Sequence, residues 1–250
     1  MISLQDKVAI VTGGSRGIGA ATAELLARAG AHVVVTYRSR KKEADLFIQE
    51  MKRWRLACEA VKVDVTNEQR VSQFVGDVEK RHGGIDILVN SAGIWVPAPI
   101  GATSTKRWRE TIEVNLVGTF NFCNAVVPFM KLRGGKIVNI ASTAGQRGEA
   151  GYSHYAASKG GVIAFTKSIA AELAPYGINV NCVAPGWVTT DMVAGALKRQ
   201  AARREIIKSI PRGRIAKPEE IAGPVLFLCS ELAIHMVGAI VSVNGGSVMA

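Results

Sequence analysis

The chain has 250 residues, enough for one large α/β domain or two small ones, and a domain of that size buries about three quarters of its unfolded surface without disulfides or metal. Hydrophobic residues make up 48% and charged residues 20%, which excludes disordered and fibrous classes, and no apolar run approaches the ~20 residues of a membrane span. The net charge of +11 points to anionic, phosphate-bearing ligands or a basic solubilising surface. The basic residues lack aromatic interleaving and no nucleic-acid module is present, so nucleic acid is set aside as a primary partner.

Taken in chain order, short β-branched runs alternate with amphipathic stretches. The pattern predicts strands at 7–12, 32–37, 60–64, 85–90, 136–141, 178–184 and 239–243. Helices are predicted at 18–29, 41–54, 68–82, 105–130, 152–174 and 218–230. Strands separated by helices imply βαβ units and a parallel sheet. Runs such as VAIVT and HVVVT are apolar on both faces, as in a sheet covered by helices on each side. Without repeats or a Pro/Ser-rich linker, residues 1–250 read as a single Rossmann-type α/β domain. The start lacks a signal-peptide pattern, so a cytoplasmic protein is expected. Cys58, Cys123, Cys182 and Cys229 are scattered without metal-ligand spacing and read as reduced, mostly buried hydrophobes.

Strand one runs directly into TGGSRGIG. A phosphate-binding turn needs a tight bend, room for the ligand and close helix contact, and Gly13, Gly14, Gly17 and Gly19 supply all three. Ser15, Arg16 and Ile18 share that turn, and the helix that follows points free N–H groups and its positive dipole end at the phosphates. The spacing is GGxxGxG rather than GxGxxG; the strand before and helix after it give it weight. At the end of strand two the chain reads VVVTYRSRKK. No acid follows Tyr37 to hold a ribose 2′-hydroxyl; Arg38 and Arg40 are there instead, with Arg16 as another arginine for a 2′-phosphate. NADPH is therefore the expected cofactor.

Strand five delivers Ser142 at its carboxyl edge, and Tyr155 follows thirteen residues later with Lys159 four beyond it. On a helix, Tyr155 and Lys159 share a face. Reduction of a carbonyl needs a hydride on carbon and a proton on oxygen. Tyr155 can give the proton, Lys159 is expected to lower the phenol's pKa from roughly 10, and Ser142 can orient the carbonyl oxygen. YxxxK alone is a weak motif; its weight comes from following the phosphate turn and the strand-end serine.

These residues together resemble the short-chain dehydrogenase/reductase family. The resemblance rests on TGGSRGIG at 12–19, Asp64-Val65, NSAG at 90–93, Asn115 in VNLVGTF, Ser142, YAASK at 155–159 and Pro185-Gly186, so it spans essentially the whole chain. It implies a doubly wound parallel sheet of seven strands and a homotetramer. It also implies that Asp64 and Val65 bind adenine and that Asn90, Ala92 and Gly93 support sheet and cofactor. Asn115 would hold a water in a proton relay, and Lys159 would also bind the nicotinamide ribose. Pro185, Gly186, Val188 and Thr190 would flank the nicotinamide. The family's NNAG reads NSAG here, with Ser91 in place of an asparagine.

Within the family the chain is most similar to the 3-oxoacyl-acyl-carrier-protein reductases. An acidic carrier would suit the basic surface, with Lys131 and Arg133 as contacts, yet Tyr176 stands where carrier-binding members often show a basic residue. The substrate is thus expected to be a 3-oxoacyl thioester on carrier protein or CoA, or a β-keto ester; a small or cyclic ketone or alcohol is the alternative. Trp95 after NSAG, Trp187 after the Pro-Gly turn and Tyr152 are expected near the substrate. His154 reads as a loop or interface residue. The polar, basic segment 187–217 is expected to form a lid on the substrate side. A regulator that only senses cofactor would have lost Ser142, Tyr155 or Lys159; all are present.

Overall fold

In a computed structural model, which describes residues 2–249, the predicted alternation builds one seven-stranded parallel sheet. The strands are β1 (Val8–Thr12), β2 (His32–Tyr37), β3 (Cys58–Lys62), β4 (Ile87–Asn90), β5 (Gly135–Ile140), β6 (Ile178–Pro185) and β7 (Ile240–Val243). Their order is β3-β2-β1-β4-β5-β6-β7, and Ile10 of β1 lies in register with Val34 on one side and Leu88 on the other. The chain reverses direction of travel across the sheet between β1 and β4. A crevice opens there at the carboxyl ends of the strands, where ligands bind in such sheets.

Apolar residues on both faces of the central strands, such as β1 and β2, require helices on both faces of the sheet. On one face Val11, Val33 and Val35 pack with Leu26 of α1 (Gly17–Arg28), Phe47 of α2 (Lys41–Arg53) and Val225 of α10 (Pro218–Leu228). On the other, Ile10, Val34 and Leu88 meet Phe74 of α3 (Glu68–His82), Phe122 of α5 (Gly118–Met130) and Leu173 of α7 (Ser153–Leu173). α3 starts where the Asn67 side chain accepts a hydrogen bond from the Arg70 N–H, and stops at Gly83, whose φ of 73° closes the helix in the left-handed region.

Three sequence expectations shift. The third strand was expected at 60–64 but spans Cys58–Lys62, because it pairs with β2 from Val33↔Cys58 to Tyr37↔Lys62. The helix expected at 105–130 is divided into α4 (Thr105–Ile112), a π-turn (Glu113–Val117) and α5. The segment 187–217 contains two short helices, α8 (Ala194–Leu197) and α9 (Gln200–Lys208); its two ends meet where Ala216 N–H donates to the Trp187 carbonyl, and it is tied to the rest of the fold where Arg212 N–H donates to the Gly245 carbonyl. No helix among the described residues is long and apolar enough to cross a membrane.

Candidate active site

The phosphate turn is built on glycine for reasons of space. Gly13 and Gly17 have φ of 63° and 56°, and a Cβ on Gly13 would lie 2.9 Å from the Cα of Ala92. A Cβ on Gly19 would strike the carbonyl oxygen of Gly13. α1 begins at Gly17 with no side-chain cap and no acidic residue in its first turn. Its leading N–H groups are therefore open toward the cleft, as an anion requires.

The neighbouring loops are held by hydrogen bonds that cross the sheet. The Thr12 hydroxyl accepts from the N–H groups of Ser91 and Ala92, at 3.0 and 3.1 Å, and so sets the NSAG loop beside the glycine turn. Asn121 donates to the Val65 carbonyl at 2.9 Å, and Asp64 accepts from the Thr66 N–H and hydroxyl. Asn90 is buried and points away from the cleft, donating to Asn139 at 2.9 Å, while Asn139 donates to Thr166.

One cleft is lined by nearly every expected cofactor residue. At its floor are Gly13, Ser15, Arg16, Gly17, Ile18 and Gly19 of the turn. One end carries Tyr37, Arg38, Asp64 and Val65. The far end carries Ala92, Gly93, Tyr155, Lys159, Pro185, Gly186, Val188 and Thr190, with Ser142 and both tryptophans. Asn90, Asn115 and Tyr152 stand behind this wall rather than in it. Sequence reasoning missed Asp191 and Glu149. Asp191 accepts from Arg16 at 3.3 Å and lies 4.0 Å from Arg40, so one carboxylate of the segment 187–217 draws two arginines together beside the glycine turn. No local pattern foretells that pairing, which spans the length of the chain.

Ser142 caps α6 (Thr143–Arg147) by accepting from the Ala144 N–H at 3.1 Å. Tyr155 and Lys159 lie one turn apart on α7, both buried. The Lys159 ammonium donates to the Ile140 carbonyl at 2.7 Å and sits 6.0 Å from the centre of the Tyr155 ring. Burial pulls Lys159 down to about 8. Burial also pushes the Tyr155 phenol up to about 12, opposed by the Ser142 hydroxyl and reinforced by the charge of Glu149. The expected lowering of the phenol by Lys159 is thus not seen: desolvation dominates, and the ammonium is held by a backbone carbonyl. Asn115 lies in the π-turn, where the widened helix turns its side chain inward. It accepts from the Ile94 N–H at 2.8 Å, and donates to the Ile94 carbonyl and the Ser158 hydroxyl. A Cβ on Gly93 would lie 3.2 Å from Asn115 Oδ1 and 3.6 Å from Lys159 Nζ, so Gly93 leaves open the space where the two approach.

The substrate end is aromatic. Trp95 stacks on Tyr152 with ring centres 4.3 Å apart and meets Trp187 edge-on at 5.7 Å. The Trp95 indole N–H donates to Glu149 Oε2 at 3.2 Å. His154 is buried among packed residues and points no ring nitrogen at a hydrogen-bond partner. The four cysteines are free; Cys123, Cys182 and Cys229 are buried, and Cys58 is half-buried.

Comparison with known proteins agrees with this geometry. A family model described as Enoyl-(Acyl carrier protein) reductase matches residues 13–248. The chain is 41% identical over 246 residues to a 3-oxoacyl-acyl-carrier-protein reductase of Aquifex aeolicus, covering 98% of each. It is 40% identical over 246 residues to an acetoacetyl-CoA reductase of Rhizobium meliloti, covering 98% of this chain and 100% of the other. A solved dehydrogenase/reductase from Sinorhizobium meliloti superposes with a TM-score of 0.93 at 34% identity, covering 99% of this chain and 97% of that one. The chain belongs to the short-chain dehydrogenase/reductase family and is an oxidoreductase acting on the CH–OH/C=O pair.

Proposed function

We propose that this member of the family reduces a carbonyl to an alcohol with NADPH, Tyr155 giving the proton. The observation that carries the reading is the buried Tyr155–Lys159 pair at the end of a glycine-floored, arginine-rimmed cleft. NADPH, when bound, supplies the hydride. The α1 N-terminus and its glycines would hold the pyrophosphate, and Asp64 and Val65 the adenine. Arg16, Arg38 and Arg40 would hold the 2′-phosphate, a site already occupied by negative charge in the form of Asp191. Lys159 would bind the ribose hydroxyls, while Pro185, Gly186, Val188 and Thr190 would flank the nicotinamide.

Ser142 would donate to the substrate oxygen and orient it toward Tyr155. The phenol, pushed up to about 12, is fully protonated at neutral pH and ready to donate. Lys159 and Asn115 converge beside Gly93 and would return a proton to Tyr155 through water. The segment 187–217 would act as a lid, with Trp187, Val188, Thr190 and Asp191 forming its cleft-facing edge.

The relatives support a 3-oxoacyl thioester on carrier protein or CoA, or a β-keto ester, as substrate. A small or cyclic ketone is the second reading, favoured by Trp95 and Trp187, which make this end of the cleft aromatic. A cytoplasmic homotetramer is part of the proposal, supported by exposed Trp108 and Phe120 on α4 and α5. The test is oxidation of NADPH and of NADH with an acetoacetyl thioester, a β-keto ester, a cyclic diketone and an aryl ketone. Turnover with NADPH well above NADH is expected. No turnover of any carbonyl, or a preference for NADH, would overturn the reading.

A further inference from the structure

We propose that the half-buried carboxylate of Glu149, set beside Trp95 and Trp187, selects carbonyl substrates that carry a cationic group and disfavours anionic ones. The inference rests on the carbonyl-reductase reading above and names the substrate class for the same cleft.

Glu149 lies on the loop between α6 and α7 and lines the cleft that holds Tyr155. The loop is fixed in place: Ala98 N–H donates to the Gly151 carbonyl at 2.9 Å, and Tyr152 N–H to the Glu149 carbonyl at 3.1 Å. Among the described residues, the Trp95 indole is the hydrogen-bond donor to the carboxylate, at 3.2 Å. An ionised carboxylate has about four acceptor positions, and Trp95 fills one of them at the wall of the cleft. Arg147 lines the same cleft and acts on its charge without forming an ion pair, and desolvation still raises the Glu149 carboxyl above its ordinary value. A carboxylate partly removed from water without a cation is costly. A substrate that brings the missing positive charge recovers that cost, and an anionic substrate increases it.

The aromatic neighbours favour the same ligand. Trp95 is held flat against Tyr152, with 3° between the ring planes, and Trp187 stands nearly perpendicular at 85°. Ring faces attract cations, Trp most strongly. A carboxylate and two indoles around one end of a cleft make a receptor for an alkylammonium rather than for a carboxylate.

The test uses three ring ketones of similar size with wild-type holoenzyme: the quaternary N,N-dimethyl piperidonium ketone, its neutral isostere gem-dimethylcyclohexanone, and a cyclohexanone carboxylate. For wild type, kcat/KM for the cation should exceed that for the neutral ring by about tenfold, with the carboxylate lowest. In Glu149→Gln, which keeps the shape and the bond from Trp95, the cation-to-neutral ratio should fall several-fold below that of wild type. Competitive inhibition by tetramethylammonium, measured with NADPH bound, should weaken in parallel. A wild-type ratio near one, or a ratio retained in Glu149→Gln, would overturn the inference. So would inert ring ketones alongside an active acetoacetyl thioester, an outcome that leaves the carbonyl-reductase reading standing. Inactivity toward every carbonyl would instead remove that reading itself.

Discussion

Replacing Arg16 by alanine should weaken NADPH without weakening NADH. Arg16 reaches Asp191 at 3.3 Å from the glycine turn, so its guanidinium already sits where a negative group can be met. A charge-assisted hydrogen bond contributes about 1.5–3 kcal/mol. The side chain is 40% exposed, so screening reduces this to about 1–2 kcal/mol. That corresponds to about a 5- to 30-fold rise in KM for NADPH. NADH has no 2′-phosphate, and its KM should stay within about twofold. The assay is initial rates at saturating carbonyl with each cofactor, repeated at high salt, where the difference should shrink. An equal rise for both cofactors would show that Arg16 shapes the turn rather than reads the phosphate, and the cofactor argument would fail.

Two further outcomes follow from the same geometry. Asp191→Asn removes the carboxylate that competes for Arg16 and Arg40, so KM for NADPH should fall about two- to fivefold while that for NADH does not change; an increase for NADPH would mean that Asp191 helps hold the arginines for the cofactor. Lys159→Met should abolish turnover yet raise stability. Lys159 is depressed to about 8 in the fold from 10.5, so its charge costs folding on the order of 3 kcal/mol once pH is below 8. Loss of the bond to Ile140 offsets about 1 kcal/mol, leaving a Tm gain of about 4–8 °C at neutral pH. The penalty fades as pH rises from about 8 toward the unfolded value near 10.5, and the gain should fade with it. Melting curves across that range check the sign; a lower Tm at neutral pH would refute it.

The features readable from sequence are those set by local pattern. The glycine turn is legible because strand, turn and helix are contiguous, and Tyr155 and Lys159 because four residues make one helical turn. β1 and β2 are β-branched and apolar on both faces, and β6 alternates Ile178, Val180 and Cys182 with Asn179 and Asn181. β3 was misplaced because CEAVK mixes polar and small residues, and only pairing with β2 sets its start. The π-turn at Asn115 has no composition signature; it arises where Asn115 turns in to hold Ile94. Glu149 and Asp191 were missed for a related reason. Glu149 meets Trp95 across 54 positions, and Asp191 meets Arg16 across 175. Such contacts follow from the sheet order, not from neighbours in the chain. The expected lowering of the Tyr155 phenol failed because spacing reports proximity but not desolvation, and burial outweighs a lysine held by Ile140.

The most direct test of the account is Tyr155→Phe, which keeps the ring and removes only the hydroxyl. Single-turnover oxidation of bound NADPH would be followed with the best carbonyl substrate, alongside cofactor binding by nicotinamide fluorescence. The account predicts a loss of the chemical rate of about 10²- to 10⁴-fold, the usual contribution of a positioned acid, with the NADPH affinity retained. A Tyr155→Phe enzyme that keeps its chemical rate would contradict it.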